Sequence, residues 1–221
     1  MTTTYQSLGF PAAGADRPYC FINMVTTIDG KILSGERGEH VLDLGSKNDH
    51  VLMKRIEGLA DGLIVGANTL RVAPPRWSPA TPIRVVVSSS GDLPYESAFF
   101  DGDGAYVATA KDPEIRRSRG LKAGNGTLDF KLLFHRLRNE LGIKRLLALG
   151  GSELNAQLLA LDLVDELFIT IAPKVKLGRD VPTYADGDPL PRESMLRFNL
   201  IEHHAIGDEV FIRYRREEGA T

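Results

Sequence analysis

The run Leu146-Leu147-Ala148-Leu149-Gly150-Gly151-Ser152 joins a buried-type apolar stretch to two glycines and then to a leucine-spaced segment. A strand that turns directly into a helix exposes backbone N–H groups of partial positive charge, and glycine lets a phosphate come close to them. The pattern fits either a dinucleotide pyrophosphate site or a tight turn that needs glycine for its own geometry. It lacks the G-x-G-x-x-G spacing of the usual dinucleotide fingerprint. Gly66-Ala67-Asn68-Thr69 repeats the arrangement, and Ser88, Ser89 and Thr109 each follow an apolar run. Each hydroxyl alone reads as a turn residue. Ligands of open α/β sheets bind outside the carboxyl ends of the strands, so together these residues describe one cofactor rim.

Thr27-Ile28-Asp29-Gly30-Lys31 follows the first apolar run, Tyr19 to Val25, which carries Asn23 in its interior. Asp-Gly is a turn signal. The alternative is a loop that holds Asp29 and Lys31 over a pocket, where a lysine donates to a carbonyl or phosphate oxygen. There is no G-x-S-x-G and no H-E-x-x-H. His40, His50, His135, His203 and His204 have no metal-ligand spacing, and Cys20 is the only cysteine, so no metal site and no intrachain disulfide are expected. Trp77 in a proline-rich loop reads as a packing plug or as a ring that stacks on a flat substrate, with packing the first reading.

The elements that would position these residues alternate. Strands are expected at Tyr19 to Val25, Leu63 to Val65, Arg84 to Val87, Ala105 to Ala108, Lys144 to Leu149 and Glu166 to Ala172. Ser46 reads as a helix N-cap with Asp49 as its acidic partner, and Val51, Leu52, Ile56, Leu59 and Ala60 form one stripe that ends near Asp61-Gly62. Two further helices follow from Leu132, Leu133, Leu137 and Leu141, and from Leu154, Leu158, Leu159 and Leu161. A hairpin through Gly207-Asp208 closes the chain. The fold class is α/β: a mostly parallel central sheet with flanking helices and an antiparallel C-terminal edge. One domain over 18–216 is expected, with a polar tail at 1–17 and a short tail at 217–221.

The chain has 221 residues, 43% hydrophobic and 25% charged, with net charge −2. That balance gives no electrostatic reason to seek nucleic acid or an anionic membrane. No apolar run is long enough to cross a bilayer and no secretory signal is visible, so a cytoplasmic protein is expected.

Met24 to Lys31, Asp61 to Leu70, Gly150 to Leu154, Leu163 to Leu167 and Ala172 to Gly187 together resemble the reductase domain of riboflavin biosynthesis, above all its stand-alone archaeal type. The resemblance spans about Pro18 to Arg215. It implies a dihydrofolate-reductase-like fold, NADPH as cofactor, a homodimer, and reduction of a ribosylaminopyrimidine phosphate to its ribityl form, on either a diaminopyrimidinone or an aminouracil ring. It implies that Gly66, Thr69, Ser89, Thr109, Gly150, Gly151 and Ser152 line the cofactor. Asn23, Asp29 and Lys31 then stand at the reacting centre, with Thr27 and Arg76 toward the substrate. Arg76 is either a phosphate contact or an exposed loop arginine, and Arg71 and Lys111 are candidates for the 2′-phosphate of NADPH. The fused deaminase of bifunctional relatives is not expected.

Three positions depart from the family pattern. Ala73-Pro74-Pro75 replaces its Asp-Asp-Pro, Leu149 replaces an acidic residue, and Ser88 replaces a frequent aspartate. The cofactor side is better kept than the substrate side. Reduction of another pterin or pyrimidine, or nucleotide binding without catalysis, are the rival readings.

Overall fold

The computed structural model describes residues 3–39, 41, 43–111 and 115–217. His40 and the last four residues of the expected C-terminal tail lie outside them. The elements in chain order are β1 (Tyr19–Thr27), α1 (Lys47–Glu57), β2 (Gly62–Gly66), α2 (Ala67–Val72), β3 (Ile83–Val87), β4 (Ala105–Thr109) and β5 (Arg119–Lys122). Then come β6 (Gly124–Asn125), β7 (Thr127–Leu128), α3 (Phe130–Asn139), β8 (Arg145–Ala148), α4 (Ser152–Ala160), β9 (Glu166–Ala172), β10 (Phe198–Ile206) and β11 (Glu209–Arg216).

Among the described residues, nine strands form one sheet in the order β10-β11-β9-β1-β8-β2-β3-β4-β5. From β9 to β5 every neighbouring pair is parallel, and β11 and β10 add an antiparallel edge. Strand β8 enters late and inserts between β1 and β2, with Ile22 and Ile64 both opposite Ala148. The carboxyl ends of seven strands therefore open along one rim.

Alternation along β1 shows how the sheet is covered. Cys20 and Ile22 face Leu133, Phe134 and Leu137 of α3 and Leu154 and Leu158 of α4. Tyr19 and Phe21 face Leu52 and Ile56 of α1 and Leu70 of α2. Both sides of the central strands are closed to water, which explains their unbroken apolar runs. Burying each of these large side chains contributes about 1.5–3 kcal/mol.

Several local expectations are corrected. Ser46 does cap α1, its side chain accepting from the Asn48 N–H. Its own N–H donates to Glu209 at 2.7 Å, so the reciprocal partner is on a distant strand and not Asp49. The helix stops at Glu57, where Gly58 closes it, and Val51 points to solvent. Leu132 and Leu161 are exposed as well, because leucine spacing on one helix exceeds the width of its buried stripe.

The stretch expected to be a polar tail lies against the sheet from Thr3 onward. Tyr5 is buried edge-on to Phe168, and Phe10 stacks on Phe21 at 4.8 Å. Arg17 forms a two-pronged ion pair with Asp165 at 2.7 Å. Two well-placed aromatic rings outweigh the surrounding threonines and glycines.

Candidate active site

A cleft of about 830 Å³ opens at the strand rim. Gly151, Ser152 and Glu153 form one wall, Gly66, Asn68 and Thr69 the next, and Ser88, Ser89, Ala110 and Lys111 the far end. Ile32, Leu33 and Pro182 close over it, and Gly126 and Thr127 border it. A smaller hollow of about 360 Å³ beside Thr3 to Leu8 is remote from the strand ends.

The two glycine turns meet. The Gly66 N–H donates to the Gly150 carbonyl at 2.7 Å. A methyl group on Gly151 would sit 3.0 Å from Thr69 Oγ1, and one on Gly66 would sit 3.4 Å from the Gly151 nitrogen. Gly150 has φ +81°, a left-handed conformation that favours glycine, and the Gly150–Gly151 peptide is cis. Gly151 is the N-cap of α4 and no side chain caps that helix. The N–H groups of its first turn are therefore open toward the cleft, where an anion satisfies them.

The hydroxyls divide by depth. Ser89 is exposed in the cleft, whereas Ser88 is buried and its Oγ accepts from the Gly91 N–H. Thr109 is also buried, its Oγ1 accepting from the Lys111 N–H at 3.2 Å, so it props the rim from beneath. The Lys111 ammonium has no partner among the described residues. The Arg71 guanidinium is committed to the Asp92 carbonyl and Asn68 Oδ1.

The turn after β1 is tied to the loop after β9. Thr27 donates its hydroxyl to Asp29 at 2.6 Å, and Thr27 Oγ1 accepts from the Lys31 N–H. Asp29 further accepts from the N–H groups of Lys176 and Leu177, at 3.1 and 2.8 Å. The Thr27 hydroxyl and these backbone donors pull its pKa down to about 2. Asp29 also holds Leu177 at φ +60°, a backbone conformation that costs a leucine of order 1–2 kcal/mol. Lys31 Nζ donates to the Val181 carbonyl at 2.8 Å.

The structure thus brings Gly66, Thr69, Ser89, Gly151 and Ser152 together in the cleft, with Gly150 and Thr109 directly behind. Asn23, Thr27, Asp29 and Lys31 do not line the cleft; the last three form the hydrogen-bonded turn that leads into Ile32 and Leu33, which do. Asn23 is half-buried on β1, beside Phe168 of β9. Arg76 is exposed and does not line the cleft. Trp77 stacks on Phe99 at 5.8 Å, as a packing plug does. The β6–β7 ribbon, which sets Gly126 and Thr127 on the border, escaped sequence reasoning although Asn125-Gly126 is a hairpin signal.

The sequence family described as the RibD C-terminal domain matches residues 18–212. The 2,5-diamino-6-ribosylamino-4(3H)-pyrimidinone 5′-phosphate reductase of Methanothermobacter thermautotrophicus is 29% identical over 215 residues, covering 90% of this chain and 98% of that one. RibD of Acinetobacter baumannii superposes with TM-score 0.75 at 19% identity, over 92% of this chain and 59% of that one. Dihydrofolate reductase of Enterococcus faecalis, solved with NADP(H), superposes with TM-score 0.57 at 16% identity, over 90% and 97%. The fold is dihydrofolate-reductase-like.

Proposed function

The chain belongs to the RibD C-terminal domain family, and from that premise we propose that it is an NADPH-dependent reductase of riboflavin biosynthesis. Its substrate is a phosphorylated ribosylaminopyrimidine, whose ribosyl group becomes ribityl. The observation that carries this reading is the junction of Gly66, Thr69 and Gly151 at the uncapped start of α4. A dinucleotide phosphate fits there because the backbone offers unpaired donors and no side chain fills the approach.

When bound, the reduced nicotinamide supplies a hydride to the open-chain imine carbon of the sugar. The chain's own work is positioning. Ser152 and the Gly151 backbone hold the phosphates, and Thr69 flanks them. Ser89 and Lys111 take the 2′-phosphate, which favours NADPH over NADH. Arg71, whose guanidinium is already occupied, contributes less. Lys31 spends one of its three ammonium donors on the Val181 carbonyl and turns another to a carbonyl of the pyrimidine, Asn23 and Thr27 flank the ring, and Asp29 holds the loop that carries Lys31. Arg76, standing apart, reaches a substrate phosphate only at the cleft's outer edge. As in the resemblance, a cytoplasmic homodimer is the form proposed.

The test is NADPH oxidation by the purified protein with and without the diaminopyrimidinone ribosylamine phosphate, with the product weighed. Substrate-dependent oxidation and a gain of two hydrogens are expected. NADPH binding with no turnover would overturn the reading.

A further inference from the structure

The cleft lining follows the order of the sheet. Lys111 comes after β4, Ser88 and Ser89 after β3, Gly66 to Thr69 at the end of β2, and Gly151 after β8. Under the proposed reading, that run of strands carries the dinucleotide, from its pyrophosphate to its 2′-phosphate. Ile32 and Leu33 come after β1 and Pro182 after β9, on the other side of β8. This end is left for the substrate. A phosphate ester carries about −1.5 to −2 charge at neutral pH and calls for a cation there.

Two loops build this end. The loop after β1 meets the loop after β9 at a Lys31–Thr183 bridge, and the Ile32 N–H donates to the Pro182 carbonyl at 3.0 Å. Cationic side chains brace the pair. Lys31 Nζ donates to the Val181 carbonyl, Lys176 Nζ to the Ser34 carbonyl and Arg37 Nη2 to the Asp180 carbonyl. A carbonyl fixes such a group without cancelling its charge. Among the described residues, the cations that line the cleft are Arg37, Arg71 and Lys111. Arg71 has Nε and both terminal nitrogens engaged, and Lys111 stands at the opposite end. Arg37 spends one of its five N–H donors on Asp180, at 2.9 Å, and forms no ion pair among the described residues. The Glu39 carboxylate, which also borders the cleft, turns back to accept from the Glu36 N–H at 2.9 Å.

We propose that Arg37 binds the phosphate of the substrate, two of its free N–H groups donating side by side to two phosphate oxygens. This rests on the reductase reading and deepens it. A guanidinium fork matches a phosphate in this way and stays charged at every working pH. The bond to Asp180 fixes where the fork stands, so the loop after β9 sets the position of the phosphate. Contacts far from the reacting carbon also hold that carbon in place, so a substrate without its phosphate loses kcat as well as KM.

The experiment compares kcat/KM for the diaminopyrimidinone ribosylamine 5′-phosphate and for its dephosphorylated counterpart in wild type and Arg37→Ala, with NADPH affinity measured alongside. The wild type should prefer the phosphate ester. R37A should lower kcat/KM for the ester roughly 10- to 100-fold, the scale of a lost hydrogen bond between charged groups, and leave the dephosphorylated form within about twofold. NADPH affinity should not change. An equal fall for both substrates would make Arg37 a loop brace only. Weaker NADPH binding with an unchanged preference for the ester would place the guanidinium on the cofactor. Either result overturns the assignment and leaves the reductase reading standing. Should R37A fail to fold, Arg37→Gln, which keeps a donor for Asp180, decides by the same ratio, and an undiminished preference for the ester overturns it. A wild type that reduces neither substrate ends both.

Discussion

Under the proposed reading, Asp29 serves the reaction without touching the substrate. It accepts from Thr27, Lys176 and Leu177 at once, and its pKa falls to about 2. A depressed carboxylate pKa means the stabilisation is complete above the unfolded value near 4 and fades as pH falls toward 2. With its carboxyl held this low, Asp29 fits the holding of the loop better than the donation of a proton. Asp29→Asn should lower kcat/KM by about 10- to 100-fold through a displaced Lys31 loop, while the pH–rate profile above pH 5 keeps its shape. A profile that loses a limb in this variant would make Asp29 an acid–base group after all. At this scale the sequence was legible where chemistry is local: glycines beside hydroxyls named the rim. It was silent on how Lys174 holds the Asp43 and Leu44 carbonyls, because those partners lie more than a hundred positions away.

In the proposed reading, the start of α4 is the element on which cofactor binding turns. Its first N–H groups face the cleft uncapped, and Gly151 stands against Thr69. Gly151→Val fills that approach and should raise the Kd for NADPH about tenfold or more, the scale of one lost hydrogen bond to a charged group. Fluorescence titration checks it, and an unchanged Kd would move the phosphates elsewhere. Elements with a strong pattern were legible: the long strands and the three longer helices stand, to within a few residues at their ends, where apolar runs and helical stripes put them. Strands β5 to β7 were not, since four residues or two carry no period, and Arg119 to Lys122 is largely exposed. The stop of α1 at Glu57 was missed because Leu59 and Ala60 continue the stripe after the backbone has already turned.

Across the whole molecule, the sheet divides its labour between its two ends. The carboxyl ends form the cleft, and near the start of β9 Arg213 binds three segments together. It donates to Glu166, Glu202 and the Gly9 carbonyl, and lies 5.2 Å from the rings of Phe10 and Phe168. Arg213→Ala leaves the fully buried Glu166 with Arg215 as its cation and should cost about 3–5 kcal/mol. Denaturant unfolding would show the loss, early proteolysis before Pro18 would accompany it, and NADPH affinity should stay unchanged. Alternating elements made the parallel sheet and its antiparallel edge legible. The insertion of β8 between β1 and β2 was beyond local reading, and so was the packing of the N-terminal segment, because both are decided by contacts distant in sequence.

On the proposed reading, a hydride passes to a ribosylaminopyrimidine held at this rim. The most direct measurement of that transfer uses NADPH deuterated at the transferring position of the nicotinamide, with the diaminopyrimidinone substrate and mass analysis of the product. One deuterium is predicted on the sugar carbon bonded to the exocyclic 6-amino nitrogen, the carbon that loses its bond to the furanose oxygen. A reduced product without deuterium there, or no reduced product from protein that binds NADPH, would contradict the account.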